Sequence, residues 1–128
     1  MFAGDVASRS LGIAIEQVTG GRATTRMTVT EAMIKGHGVC HGSYVFLLAD
    51  TAFAFACNTY GDTTVAAGAD IVFPSPVKVG DELVAEAVER GRRGRTGLYD
   101  VTVVRRGDGG LVAEFRGRSR SLGARIVE

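Results

Sequence analysis

The sequence predicts an α+β domain in which a curled antiparallel sheet of about five to six strands wraps around one long central helix. Three observations predict it. From Tyr44 to Cys57, fourteen residues run with one charge among them, Asp50. Segments on both sides of that run alternate apolar and polar residues with a period of two. Strands and helix also segregate, two strands before the helix and four after it, which argues for an antiparallel sheet. The 128 residues are read as one domain, 1–128, with one core.

Residues 2–10 read as a short opening helix. Residues 12–19 and 22–30 read as strands around the turn Thr19-Gly20-Gly21. In the second, Ala23, Thr25, Met27 and Val29 point one way and Arg22, Thr24, Arg26 and Thr28 the other. Residues 31–40 are irregular, with glycines at 36 and 38. Val45, Phe46, Leu48, Ala49, Ala52, Phe53 and Ala56 then recur at helical spacing. Leu47, Ala54 and Phe55 make the remaining face apolar too, so protein must cover this helix on most sides. Asn58 to Asp62 ends it, with Gly61 as the breaker.

After the helix the period becomes two. Residues 64–73 read as a strand stopped by Pro74 and Pro76. Residues 82–90 place Leu83, Ala85 and Ala87 on one face. Residues 97–105 set Tyr99, Val101 and Val103 against Asp100, Thr102 and Val104. Residues 111–121 set Leu111, Ala113 and Phe115 against Glu114, Arg116, Arg118 and Arg120. The links 91–97 and 106–110 are hairpin-like. One sheet around one helix leaves a face and two edges open, so self-association is expected.

Composition narrows the function. Apolar runs fall short of the ~20 residues a membrane span needs, and the first residues lack a signal-like apolar core, so a cytoplasmic protein is expected. Cys40 and Cys57 suit a reducing compartment and form neither a C-x-x-C pair nor a disulfide framework. Net charge is +1, and the basic third has aromatics only at Tyr99 and Phe115, which argues against nucleic acid as partner. The charge is uneven: residues 1–89 hold ten acids and five bases, residues 90–128 ten arginines and four acids. That basic third either meets phosphates or is a solvated face in a chain that prefers arginine, thirteen Arg against two Lys.

The segment GHGVCHGSYVFLLADTAFAFACN, the strand ending FPSP, the opening GDEL and the closing FRGRSRSLG, taken with the strand order, resemble the hot-dog fold thioesterases. The nearest resemblance is to the phenylacetate-degradation thioesterases of the PaaI type, and it covers nearly the whole chain. Asp50, where the hydroxybenzoyl-CoA branch carries Glu, favours that assignment. The absence of any His beyond position 41 counts against the hydratases of this fold. The resemblance implies hydrolysis of phenylacetyl- or hydroxyphenylacetyl-type CoA thioesters to free acid and coenzyme A. It implies no cofactor, since coenzyme A is part of the substrate, and a homodimer that pairs again into a homotetramer. Two positions depart from the pattern. The family's Asn falls on Lys35, and near a Ser or Thr that holds the attacking water in some relatives this chain has Gly68.

His41-Gly42 begins the helix, where the first N–H groups lack intrahelical partners and carry the positive end of the dipole. Gly42 lets a substrate approach the backbone, so its N–H is the candidate oxyanion donor; the other reading is a tight helix start only. Asp50 is the candidate nucleophile or general base, its pKa raised by apolar surroundings; the other reading is a structural Asp held by hydrogen bonds. The resemblance favours the catalytic reading of both. Eight residues on one helix span ~12 Å. Groups acting on one carbonyl must come within ~3 to 3.5 Å of it. If both residues act, Gly42 of one chain must face Asp50 of another in a two-fold dimer with antiparallel helices.

His41 either orients the thioester carbonyl or is a helix-start His bonded to backbone. His37 and His41 form an H-x-x-x-H pair without a third ligand, so no metal is expected. Lys35 either reaches the substrate carbonyl or a CoA phosphate, or is solvated. Thr51 can bond the backbone one turn back. Arg92, Arg93 and Arg95 are the candidate contacts to CoA phosphates, with a solvated basic edge as the alternative. Arg116, Arg118 and Arg120 share one strand face. A second function remains open at this level: a non-catalytic hot-dog protein that binds acyl-CoA or assembles through its sheets.

Overall fold

The period-two segments form strands and the apolar run forms the helix. A computed structural model describes residues 5–36 and 38–125. In order these are α1 (Val6–Ser10), β1 (Ala14–Thr19), β2 (Arg22–Thr28), a 3-10 turn (Glu31–Met33), α2 (Gly42–Cys57), β3 (Asp62–Val72), β4 (Glu82–Arg93), β5 (Thr96–Arg105) and β6 (Leu111–Arg125). The strands make one antiparallel sheet ordered β1-β2-β4-β5-β6-β3. α2 touches every strand, so the sheet curls around it. This is the hot-dog arrangement. None of the described helices is long and apolar enough to cross a membrane.

The core is the inner face of that curl. Val45, Leu48, Ala49, Ala52, Phe53 and Ala56 of α2 are buried against Met27, Leu83, Ala85, Val101, Val103 and Phe115 of the strands. Fully burying a side chain such as Leu48 or Phe53 contributes ~1.5–3 kcal/mol each. Leu47, Asp50 and Ala54, at helical spacing on another face of α2, are only half-buried.

Several boundaries differ from the sequence reading, each for a physical reason. α1 begins at Val6, N-capped by the Asp5 carboxylate, which accepts from the Ser8 amide at 3.1 Å. Positions 2–4 of the expected opening helix lie outside the described residues. β2 stops at Thr28 because the Val29 amide turns to the Asp81 carbonyl. β4 runs to Arg93 and β5 starts at Thr96, around a two-residue turn in which Gly94 takes φ +60°. Five of the seven residues of the expected link, 91–97, are therefore strand.

Leu111 corrects the core assignment. It is 40% exposed, while Val112 is 1% exposed. The β5–β6 register slips between Val103 and Val104, which pair with Ala113 and Leu111. The extra residue breaks the alternation, so Val112 and Ala113 both turn inward.

Gly117 is a close approach. A Cβ there would sit 2.8 Å from the Phe53 ring. Gly117→Ala is expected to cost ~1–3 kcal/mol through overpacking, read as a lower urea midpoint with unchanged slope.

The outer face of the sheet is charged. Arg116 grips Asp100 through two bonds of 2.7 and 2.9 Å, Arg90 joins the same carboxylate, and Arg118 pairs with Asp70. Arg116, Arg118 and Arg120 are all exposed there, as period two requires. β3 is an open edge of the sheet, and Val65 and Val72 on it and Phe73 just beyond are exposed.

Candidate functional site

The start of α2 is set by three backbone anchors. The Cys40 amide donates to the Val77 carbonyl at 2.7 Å, and the His41 amide to the Met33 carbonyl at 2.7 Å. The Lys35 amide donates to the Val39 carbonyl, closing the loop before the helix. His41 occupies the N-cap with extended backbone and gives no side-chain cap. Gly42 is the first helical residue, and its N–H has no acceptor among the described residues.

The Phe73 ring lies against Gly42. A Cβ on Gly42 would come 3.1 Å from its Cζ. Behind this contact is a cleft of about 360 Å³, bordered by Lys35, Cys40, Gly42, Val45, Phe73 and Val77. Its wall is mainly apolar, with Lys35 as its cation. The FPSP segment therefore supplies a wall of the cleft as well as a strand stop, a role the sequence reading did not assign to Phe73.

His41 is exposed beside Gly42. Its Nδ1 lies 3.1 Å from the Ser43 hydroxyl. The ring is thus held by a side chain, and the bond to backbone of the alternative reading is not formed among the described residues. His37 lies outside the described residues. Among the described residues no three His, Cys, Asp or Glu side chains cluster as metal ligands.

Asp50 is half-buried on α2, and its carboxylate has no hydrogen bond or ion pair among the described residues. Burial raises its pKa, and the negative charge of Asp5 raises it further. Asp5 is nearby because α1 docks on α2: the Ser8 and Thr51 hydroxyls are 2.8 Å apart in a buried contact. Thr51 also donates to the Leu47 carbonyl at 2.8 Å, one turn back as expected. Nothing in the local pattern of residues 5–10 signals this docking.

Gly42 and Asp50 share one unbroken helix, so ~12 Å of axial rise separates them within a protomer. The hairpin arginines are not near Gly42 either. Arg92 and Arg95 border a second cavity beside Cys57, the last residue of α2, and Arg92 and Arg93 both border an outer cleft with Leu98 and Arg118. At Gly68 a Cβ would come 2.9 Å from the Arg118 guanidinium, so a side chain there is directed at the outer ion pairs.

The cysteines are inert by placement. Burial raises the Cys40 pKa and pushes Cys57 up to about 12.

The thioesterase superfamily model matches residues 37–112. The chain is 43% identical over 127 residues to the acyl-coenzyme A thioesterase PaaI of Escherichia coli K12, covering 99% of this chain and 90% of that protein. The structure of the E. coli PaaI protein from the phenylacetic acid degradation operon superposes with a TM-score of 0.96 at 42% identity, covering 99% of this chain and 91% of that one. A crystal structure of a Thermus thermophilus protein superposes with a TM-score of 0.86 at 34% identity, covering 91% of this chain and 97% of that one.

Proposed function

This chain belongs to the thioesterase superfamily, in the PaaI-type branch of the hot-dog fold, and from that premise we propose that it hydrolyses aryl-acetyl CoA thioesters in a site shared by two protomers. The observation that carries the reading is the Gly42 amide at the positive end of α2, opening on an apolar cleft, with a half-buried Asp50 on the same helix, both without a partner among the described residues. The first group suits an oxyanion and the second a nucleophile or base. The relative named as an acyl-coenzyme A thioesterase supports coenzyme A as the thiol carrier.

In this reading the acyl group enters the apolar cleft and the thioester oxygen meets the Gly42 N–H. That N–H strengthens its bond as charge develops on the oxygen. His41 lies beside it and orients the carbonyl. Lys35 sets a positive charge at the cleft wall. Asp50 comes from the partner and either attacks the carbonyl carbon or takes a proton from water that does. The tetrahedral intermediate then expels the coenzyme A thiolate, leaving the acid directly where water attacked, or a mixed anhydride on Asp50 that water hydrolyses to the acid where the carboxylate attacked. The open β3 edge and the half-buried Leu47–Asp50–Ala54 face support a two-fold pairing, and the dimer pairs again into a tetramer.

Mixed dimers test the sharing. Asp50→Asn chains and Gly42→Pro chains are each nearly inactive alone in this scheme. Refolded together, half of the dimers are mixed, and each mixed dimer holds one intact site. About a quarter of wild-type activity is expected to return. No recovery, with mixed dimers verified by mass, overturns the shared site.

A further inference from the structure

Ser8 joins the short helix α1 to the turn of α2 that carries Asp50. Its side chain is fully buried, and its hydroxyl lies 2.8 Å from that of Thr51, the neighbour of Asp50. Thr51 donates its own proton to the Leu47 carbonyl, so Ser8 is the donor of the pair. The Ser8 amide donates in turn to the Asp5 carboxylate at 3.1 Å. One residue thus holds the N-cap acid of α1 at one end and the Asp50 turn at the other.

A polar clasp sets register where an apolar contact does not. In any other register of α1 on α2 the buried Ser8 hydroxyl loses its acceptor, which is costly. The register that satisfies Ser8 is the one that brings the Asp5 charge to bear on Asp50.

The other surroundings of Asp50 leave that charge unopposed. The strands packed on α2 turn uncharged residues inward, among them Thr25 and Met27 of β2, Leu83 of β4, Val101 of β5 and Phe115 of β6. Glu16 of β1 pairs with Arg26 and Arg106, and Asp70 of β3 with Arg118. Asp62 and Glu89 belong to the Cys57 end of the helix, where Asp62 borders the cavity and Glu89 accepts from Tyr60 and Tyr99. Burial pushes the Cys57 thiol up to about 12 and raises Tyr99 as well, so both stay neutral. Arg9 of α1 is exposed. Burial first, and then the Asp5 charge, raise the Asp50 pKa.

We propose that Asp5 and Ser8 are positioning residues for the reaction: Ser8 fixes α1 in register on α2, and Asp5 thereby holds a negative charge that makes the Asp50 carboxylate a stronger base or nucleophile. The inference rests on the hydrolytic reading of Asp50. Since Asp50 acts in the cleft of the partner in that reading, Asp5 and Ser8 serve the site to which their own chain lends Asp50.

Two readouts test it on wild type, Asp5→Asn, Ser8→Ala, their double variant and, as a remote acid removed, Asp70→Asn. One is the pH profile of kcat. The other is the titration of the Asp50 carboxyl carbon by NMR, assigned by its loss in Asp50→Asn. Asn caps a helix as well as Asp does, so Asp5→Asn removes the charge and keeps α1. Losing a nearby negative charge favours the ionised form. Asp5→Asn is therefore expected to move the acidic limb and the Asp50 titration to lower pH, and to lower kcat at neutral pH about two- to fivefold. Ser8→Ala is expected to move both the same way, and the double variant no further than Asp5→Asn. Asp70→Asn leaves both in place. In mixed dimers of Gly42→Pro and Asp50→Asn chains, Asp5→Asn is expected to act only on the Gly42→Pro chain, which supplies the working Asp50. An Asp50 titration unmoved in either single variant, additive shifts in the double variant, or equal effects from both chains of the mixed dimer overturn the inference. A wild type that hydrolyses nothing instead sinks the hydrolytic reading, while the carbon titration still answers for Asp5 and Ser8.

Discussion

Asp50→Asn is expected to lower kcat by ~10²–10⁴-fold and, at neutral pH, to raise the melting temperature. The two effects have one origin. The carboxylate sits half-buried without a hydrogen-bonded partner among the described residues, and burial and the Asp5 charge both disfavour its ionised form. A carboxyl whose folded pKa lies above its unfolded value binds more protons folded than unfolded. Stability therefore falls as pH rises from the ordinary Asp value, about 3.9, through the raised folded value. Asn does not ionise, so the variant escapes that penalty. Its melting temperature should exceed wild type at pH 7 and converge with it below about pH 4. The same shift moves the acidic limb of the wild-type kcat profile upward from the ordinary Asp value. An inactive variant that is also less stable at pH 7 would count Asp50 as a structural residue.

Gly42→Pro removes a single proton donor, and a loss of ~10²–10³-fold in kcat is expected, the usual cost of one oxyanion donor. Proline suits this position otherwise. Gly42 is the first helical residue, where the N–H has no intrahelical partner and the fixed φ of proline is favoured. His41 before it has φ −66° and ψ 131°, the extended geometry that a following proline requires. The added Cβ presses on Phe73, which is half exposed at a strand end and has room to shift. The Gly42→Ala variant carries the same steric load but keeps the N–H. Near-wild-type kcat for Ala with loss for Pro isolates the amide. Equal losses would assign the effect to Phe73.

Much of the fold was legible because periodicity survives tertiary packing. The α2 run and the alternation in β2, β4 and β5 each report one buried face, and the structure buries those faces. Features created by pairing were not legible. Val112 replaces Leu111 in the core because of a register slip against β5, which no single strand reveals. Residues 91–93 look like a link because Gly and Arg suit loops, yet they are paired strand. At the site, Gly42 and Asp50 stand out through local chemistry, a glycine at a helix start and an acid in an apolar run. Asp5, Ser8 and Phe73 reach the same region by long-range docking, with neighbours 43 residues away in the case of Ser8 and Thr51.

The two sheltered sulfhydryls have a practical consequence. With Cys57 held at a pKa of about 12 and Cys40 only 7% exposed, the native domain should stay silent toward a chromogenic disulfide reagent. Colour in such an assay then counts only freed coenzyme. A slow background that grows with temperature becomes a clock for how often the protein opens.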